Sequence, residues 1–380
     1  MKRSTKRILT THTGSLPRPD DLTQLVQGRD KGAQVAQAAL DNRIRTAVSE
    51  VVRQQLESGI DVVNDGELSK IGYSTYVKDR LTGFDGEGKL FPVGDMMEYP
   101  TFAMRLLGER SIAEMNAPAC TGPIKWKDKE SVRKDIDNFK TALKGVKPQD
   151  TFLSAASPGV ISLFLPNQYY PSHEAYLAAL ADAMKEEYRM IYKAGFVLQV
   201  DCPDLAMGRH MGQVSSIDEF RKRIALNVEA LNAAVAGIPP DRMRLHLCWG
   251  NYEGPHHLDV PIADILDIVL TARPAGLSFE AANPRHEHEW QAFKKFKKKL
   301  ANKVLIPGVL DSCTNYIEHP ELVAERLVKF AKIAGKENVI AGTDCGFETF
   351  AGFTTVDPQI TWAKFRAMAE GARLASEQLW

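Results

Sequence analysis

No stretch of the 380-residue chain stays apolar long enough to cross a membrane as a helix. The opening MKRSTKRILTTHTG is basic but has no apolar core of signal-peptide length, so the expected location is cytoplasmic. An excess of one charge is missing too: 48 basic and 48 acidic residues are interspersed and cancel. That balance offers no footprint for nucleic acid or for an anionic membrane, and points to small-molecule partners. Cysteine is scarce, and the five thiols (Cys120, Cys202, Cys248, Cys313, Cys345) cannot all pair. An odd count in a long chain without a secretory signal excludes a disulfide framework and leaves the thiols for packing, metal or redox use. Low-complexity tracts are also lacking, and 44% apolar residues suffice for a buried core.

What the chain does have is alternation. Short β-rich runs near residues 8–12, 61–65, 151–155, 197–201, 244–248, 276–280, 304–309 and 339–343 are separated by amphipathic segments such as DNRIRTAVSEVVRQQLESG and IDEFRKRIALNVEALNAAV. Eight strand-helix units predict a TIM-type (β/α)8 barrel, with residues 1–380 as one domain. The interval from 72 to 149 is too long for one crossover, so it is expected to be an insertion after the second strand, a hairpin or flap followed by the helix SVRKDIDNFKTALKG. Oligomeric state has no signature in the sequence.

In such a barrel, chemistry belongs at the C-terminal ends of the strands. His246 and Cys248 stand two apart in RLHLCW, so on a strand both side chains project from one face. Glu280 ends the sixth predicted strand and Cys345 follows the eighth, so one nitrogen, two sulfurs and one oxygen converge on a single mouth. That set suits tetrahedral zinc, Zn²⁺. The histidine-cysteine pair alone is a weak signal, since such a pair is more often a buried thiol beside a satisfied histidine. Cys120, Cys202 and Cys313 are expected to be core thiols, and His256, His257, His286 and His288 to be solvated in polar loops.

The motifs also resemble a family, the C-terminal catalytic barrel of cobalamin-independent methionine synthase with single-barrel relatives such as epoxyalkane:coenzyme M transferase. The resemblance rests on THTGSLPRP, DVVNDGE, TGPIKW, QVDCPDL, HLC, SFE, GVLDS and GTDCG, in that order. It implies zinc held by His246, Cys248, Glu280 and Cys345, with Glu280 free to yield its place to an incoming thiol. It further implies a substrate contact for Ser15, and for Glu67 and Asp201 either an amino group to bind or a general-acid role. His12, just before the Gly14 turn, either contacts substrate or packs. Arg18 and Lys70 lie near the expected mouth, where they meet an anionic tail or water.

The chain departs from two-barrel methionine synthases by having no counterpart of their N-terminal barrel. It also reads SPGVISLFLPNQYYP where they place a pterin-stacking tryptophan. The expected function is therefore zinc-dependent transfer of a methyl or other alkyl group from an unspecified donor to a small thiol of the homocysteine or coenzyme M type. The alternatives are a zinc hydrolase, which the sulfur-rich ligand set disfavours, and a structural zinc site.

Overall fold

A computed structural model describes residues 1–88, 93–108, 117–209 and 216–380. Its strands in chain order are β1 (Leu9–Thr10), β2 (Val62–Val63), β3 (Phe84–Glu87), β4 (Pro118–Cys120), β5 (Asp150–Ala156), β6 (Val197–Asp201), β7 (Met243–Leu247), β8 (Gly276–Phe279), β9 (Val304–Leu310) and β10 (Ile340–Thr343). Eight of them form one sheet in the order β1-β10-β9-β8-β7-β6-β5-β2, and every pairing within it is parallel. The two end strands are bridged by single bonds: Asp61 N–H donates to Thr10 O at 3.1 Å and Thr11 Oγ1 to Val62 O at 3.0 Å. Those bonds close the seam of a (β/α)8 barrel, and all eight predicted strands occupy their expected places. β1 and β2 are only two residues long, and beside them the hydroxyls of Thr10 and Thr11 donate to Gly59 O and Val62 O.

The crossover helices form where apolar residues recur on one face. Gln37–Glu57 buries Leu40, Ile44, Val48, Val51 and Val52, the spacing of a single stripe. Helix starts are marked by side-chain caps, with Ser172 accepting from Ala175 N–H, Ser216 from Glu219 N–H and Asp357 from Gln359 N–H. The chain leaves helix His173–Lys193 through Gly195 at φ +96°, a conformation that costs a glycine nothing.

Between β2 and β5, strands β3 and β4 pair antiparallel, Phe84 opposite Cys120 and Glu87 opposite Pro118. Helix Glu130–Ala142 follows, overlapping most of the segment expected to be helical. The parts of the insertion at 89–92 and 109–116 lie outside the described residues. The TGPIKW turn is structural: Trp126 Nε1 donates to Ala183 O at 2.8 Å and ties the insertion to helix His173–Lys193. Among the described residues no helix is long and apolar enough to cross a membrane.

Candidate metal centre

Strand alternation places Arg244, His246 and Cys248 on one face of β7 and its end. The ligand atoms of His246, Cys248 and Cys345 all lie within 4.8 Å of one another, and all three residues are buried. The two Sγ atoms are 3.8 Å apart. Among the described residues no other group of three histidine, cysteine or acidic side chains converges in this way. Neither ring nitrogen of His246 has a partner, although the residue is 3% exposed. A buried imidazole normally satisfies at least one nitrogen, so one left without protein partners beside two thiols fits a metal cation. Burial, reinforced by Arg244, lowers the His246 pKa to about 3 and keeps the ring neutral, the form that ligates. Contact with Cys345 and then burial push the Cys248 thiol well above its ordinary value, so holding both sulfurs as thiolates needs a cation beside them.

Glu280, from the end of β8, lies beside this cluster rather than inside it. Its Oε1 accepts from Trp249 N–H at 2.8 Å and its Oε2 from the Asn283 amide at 2.7 Å. Both supports are themselves held. Trp249 donates Nε1–H to Val260 O at 2.7 Å and stacks on His286 at 4.0 Å. The Asn283 loop is gathered by Asp344, whose carboxylate accepts from the backbone N–H groups of Ala281, Ala282 and Asn283 at 2.8–2.9 Å. The residue preceding Cys345 thus orients the loop that follows Glu280.

Across the mouth, Asp201 ends β6 in register with His246 on β7. Its Oδ1 accepts from Gln199 Nε2 at 2.7 Å, and the amide cannot be reversed because Gln199 Oε1 accepts from Arg244 Nε at 2.7 Å. Burial, then the nearby charge of Glu67, hold the Asp201 carboxyl well above the usual range. Glu67 sits at φ +58°, a strained backbone for a residue with a side chain. Its Oε1 accepts from Ser154 Oγ at 2.5 Å, while its Oε2 is buried without a partner. Gly14 makes room for it: a Cβ there would lie 2.4 Å from Glu67 Oε1. Ser15 is buried against Gly346, next to Cys345, and accepts through its carbonyl from Phe347 N–H at 2.9 Å.

Of the two readings open for His12, its contacts fit packing: Nε2 meets Gln55 Oε1 at 2.8 Å and the ring lies 5.5 Å from Phe152 and from Phe365, while Nδ1 is buried without a partner. Those are the contacts of a packing residue, and burial lowers its pKa to about 3. Arg18 and Lys70 are buried rather than solvated. Arg18 pairs with Glu348 at 3.2 Å and donates to the carbonyls of Glu67 and Lys70, fixing the turn that carries Glu67. Lys70 donates to Ser154 O at 2.7 Å. His286 lies in a loop as expected but is buried, not solvated: Nδ1 meets Glu289 at 2.8 Å and Nε2 meets Asp259 at 3.0 Å. Burial opposes charge there, but the two carboxylates prevail and raise its pKa to about 10. His256 bonds the same Asp259 oxygen at 2.8 Å, and His257 meets Glu98 at 2.8 Å. Cys120 and Cys202 are buried core thiols, whereas Cys313 stands half-buried at the mouth, 3.2 Å from Asn251 Oδ1.

A barrel that gathers an imidazole, two thiols and several carboxyls at the C-terminal mouth of its strands has the build of a barrel enzyme, with a group there that could hold a metal ion. The chain belongs to the cobalamin-independent synthase catalytic-domain family, whose model matches residues 168–372. It is 25% identical over 371 residues to the methionine synthase of Thermococcus kodakarensis, covering 97% of this chain and 94% of that one. It is 26% identical over 372 residues to the methionine synthase of Sulfolobus acidocaldarius, covering 97% and 93%. Among solved structures, a B12-independent methionine synthase from Shewanella sp. W3-18-1 in complex with selenomethionine superposes with a TM-score of 0.74 at 19% identity, covering 98% of this chain and 99% of that one, a likeness of fold.

Proposed function

We propose that this chain is a zinc-dependent enzyme that transfers a methyl or other alkyl group to the sulfur of a small thiol, with homocysteine the favoured acceptor. The observation that carries the proposal is the convergence of His246, Cys248 and Cys345 with both imidazole nitrogens unpartnered. Relatives of nearly the same length that are named methionine synthase support the acceptor. When bound, zinc lowers the pKa of a coordinating thiol so that it is a thiolate at neutral pH.

The chain's own residues supply the rest. Two cysteine sulfurs and Glu280 give the site a negative formal charge, which preserves the nucleophilicity of an added sulfur. Glu280 can make way for that sulfur without stranding a buried charge, because Trp249 N–H and the Asn283 amide already hold its two oxygens. Glu67 and Asp201 are opposed buried carboxyls whose repulsion a substrate ammonium group would relieve, as the amino end of an amino-acid thiol requires. Ser15 borders the same space beside Gly346. A permanently closed structural zinc would have no use for this arrangement.

The test is X-ray absorption at the zinc edge of purified protein, before and after homocysteine and then coenzyme M. The expected result is a shell of two sulfurs and two lighter atoms that gains a third sulfur with homocysteine. A shell that neither thiol changes would reject thiol activation.

A further inference from the structure

A neutral imidazole that ligates through one nitrogen carries its proton on the other, and that N–H needs an acceptor. None of the residues assigned so far supplies one, since both ring nitrogens of His246 are buried without a hydrogen-bond partner among the described residues. An acceptor must come from the strands on either side, and the register of the barrel identifies the side chains. β6, β7 and β8 pair so that Asp201, His246 and Ser278 lie abreast. Two residues earlier, Arg244 lies abreast of Gly276, where a Cβ would fall 2.6 Å from the Arg244 Cβ. The two strands therefore present this face together, toward the interior where Arg244 meets Thr11 Oγ1 at 2.9 Å and Gln199 Oε1 at 2.7 Å.

Alternation along β8 then turns Ser278 inward beside His246. Ser278 is 1% exposed, and its hydroxyl has no hydrogen-bond partner among the described residues. On its far side it lies abreast of Ile306, whose side chain has no polar atom to offer. A buried hydroxyl left unsatisfied is costly where an apolar side chain would pack, so its presence calls for a partner. Neighbouring strands lie about 4.8 Å apart, close enough for rotation about the serine Cα–Cβ bond to bring Oγ to the adjoining ring. Asp201, on the other side of that ring, already accepts from Gln199 Nε2 through Oδ1. Ser278 and His246 are thus two buried polar side chains without partners, side by side in one layer of the barrel.

We propose that Ser278 is a positioning residue of the metal centre: its Oγ accepts the N–H of the His246 nitrogen that does not ligate, fixing the tautomer and the tilt of the ring toward Cys248 and Cys345. The assignment rests on the zinc centre of the function proposed above. Held in this way, the ring keeps its ligating lone pair aimed at the point it shares with the two sulfurs, and the hydrogen bond makes the imidazole a stronger ligand. Ser278 touches neither substrate nor metal, and its effect is carried through His246.

The experiment compares wild type with Ser278→Ala and with Ser278→Thr, which keeps the hydroxyl. Zinc affinity is measured by competition with a chromophoric chelator, and thermal stability is measured in excess chelator. The ring N–H of His246 is followed by proton–nitrogen NMR of histidine-labelled, zinc-loaded protein and is assigned by its absence from His246→Leu. In wild type it should give one resonance slow to exchange with water. Ser278→Ala should lose that protection and bind zinc about 10- to 100-fold more weakly, while Ser278→Thr stays within about threefold of wild type. In chelator Ser278→Ala should melt no lower than wild type, because it removes a hydroxyl without a partner. A lower melting temperature there would mean that the hydroxyl serves the fold, and would overturn the assignment. Unchanged zinc affinity with the N–H still protected in Ser278→Ala would overturn it too, and would make Asp201 the acceptor. A wild-type protein that takes up no zinc would instead overturn the zinc centre, and this assignment with it.

Discussion

Replacement of His246 by leucine should shift stability in opposite directions with and without zinc. The imidazole is 3% exposed, is held neutral by burial, and leaves both its donor and its acceptor nitrogen without a protein partner. An unmade buried hydrogen bond costs about 1–3 kcal/mol. Leucine has a similar volume and carries no polar atom, so in chelator the variant should be the more stable protein by about that amount. With an unfolding entropy near 2.1 cal/mol/K per residue, a chain of this length should then melt about 1–4 °C higher. In zinc the order reverses. A metal at a thousandfold excess over its Kd stabilises the folded state by about 4 kcal/mol, or about 5 °C here, and His246→Leu keeps only the two sulfurs of the cluster. Thermal unfolding of both proteins in chelator and in zinc, with zinc content by mass spectrometry, measures both signs. A variant that melts several degrees lower in chelator would show that the imidazole has partners worth keeping without metal. Equal zinc stabilisation of both proteins would remove His246 from the ligand set.

Glu67→Gln should leave zinc content unchanged and slow transfer by about 10- to 100-fold, since it removes charge at the mouth without touching the cluster; steady-state kinetics beside metal analysis decide it. Gly14→Ala should produce a similar kinetic defect from outside the site, because its Cβ would press on Glu67 Oε1 from 2.4 Å and glycine's φ of +148° disfavours any side chain. A crystal structure of the alanine variant with Glu67 unmoved would refute that route. His286→Gln should destabilise the protein in a pH-dependent way. The folded-state pKa of His286 is raised from 6.5 to about 10, so its stabilisation is fully present below pH 6.5 and is lost as pH rises through about 10. The Tm difference from wild type should therefore be largest and flat below pH 6.5 and shrink above it, and a difference that grows with pH would mean His286 folds neutral.

The barrel was legible because each strand-helix unit announces itself locally: a β-rich run, a turn, and an amphipathic helix ending near a glycine such as Gly195. The convergence of His246, Cys248 and Cys345 was legible for a related reason, since strand periodicity pairs His246 with Cys248 and barrel topology collects strand ends whatever their separation in sequence. What stayed hidden depends on contacts between distant loops. Nothing in HEHEW distinguishes a solvated histidine from His286, whose charge is set by Asp259, 27 positions away, and by Glu289. Arg18 read as a surface cation because its partner Glu348 lies 330 positions further on.

One part of the site could have been derived from alternation alone. If His246 and Cys248 face the barrel interior, so does Arg244, and a cation inside a closed barrel must find acceptors there. It finds Thr11 Oγ1 at 2.9 Å, His12 O at 2.6 Å and Gln199 Oε1 at 2.7 Å. The last bond fixes the Gln199 amide, which then has only N–H to offer Asp201. The desolvated guanidinium, its pKa lowered to about 9 by burial, therefore serves the mouth from one layer below it. The same charge adds to burial in keeping His246 neutral, so one buried arginine acts on the next inward side chain of its own strand and, through Gln199, on Asp201 of the neighbouring strand.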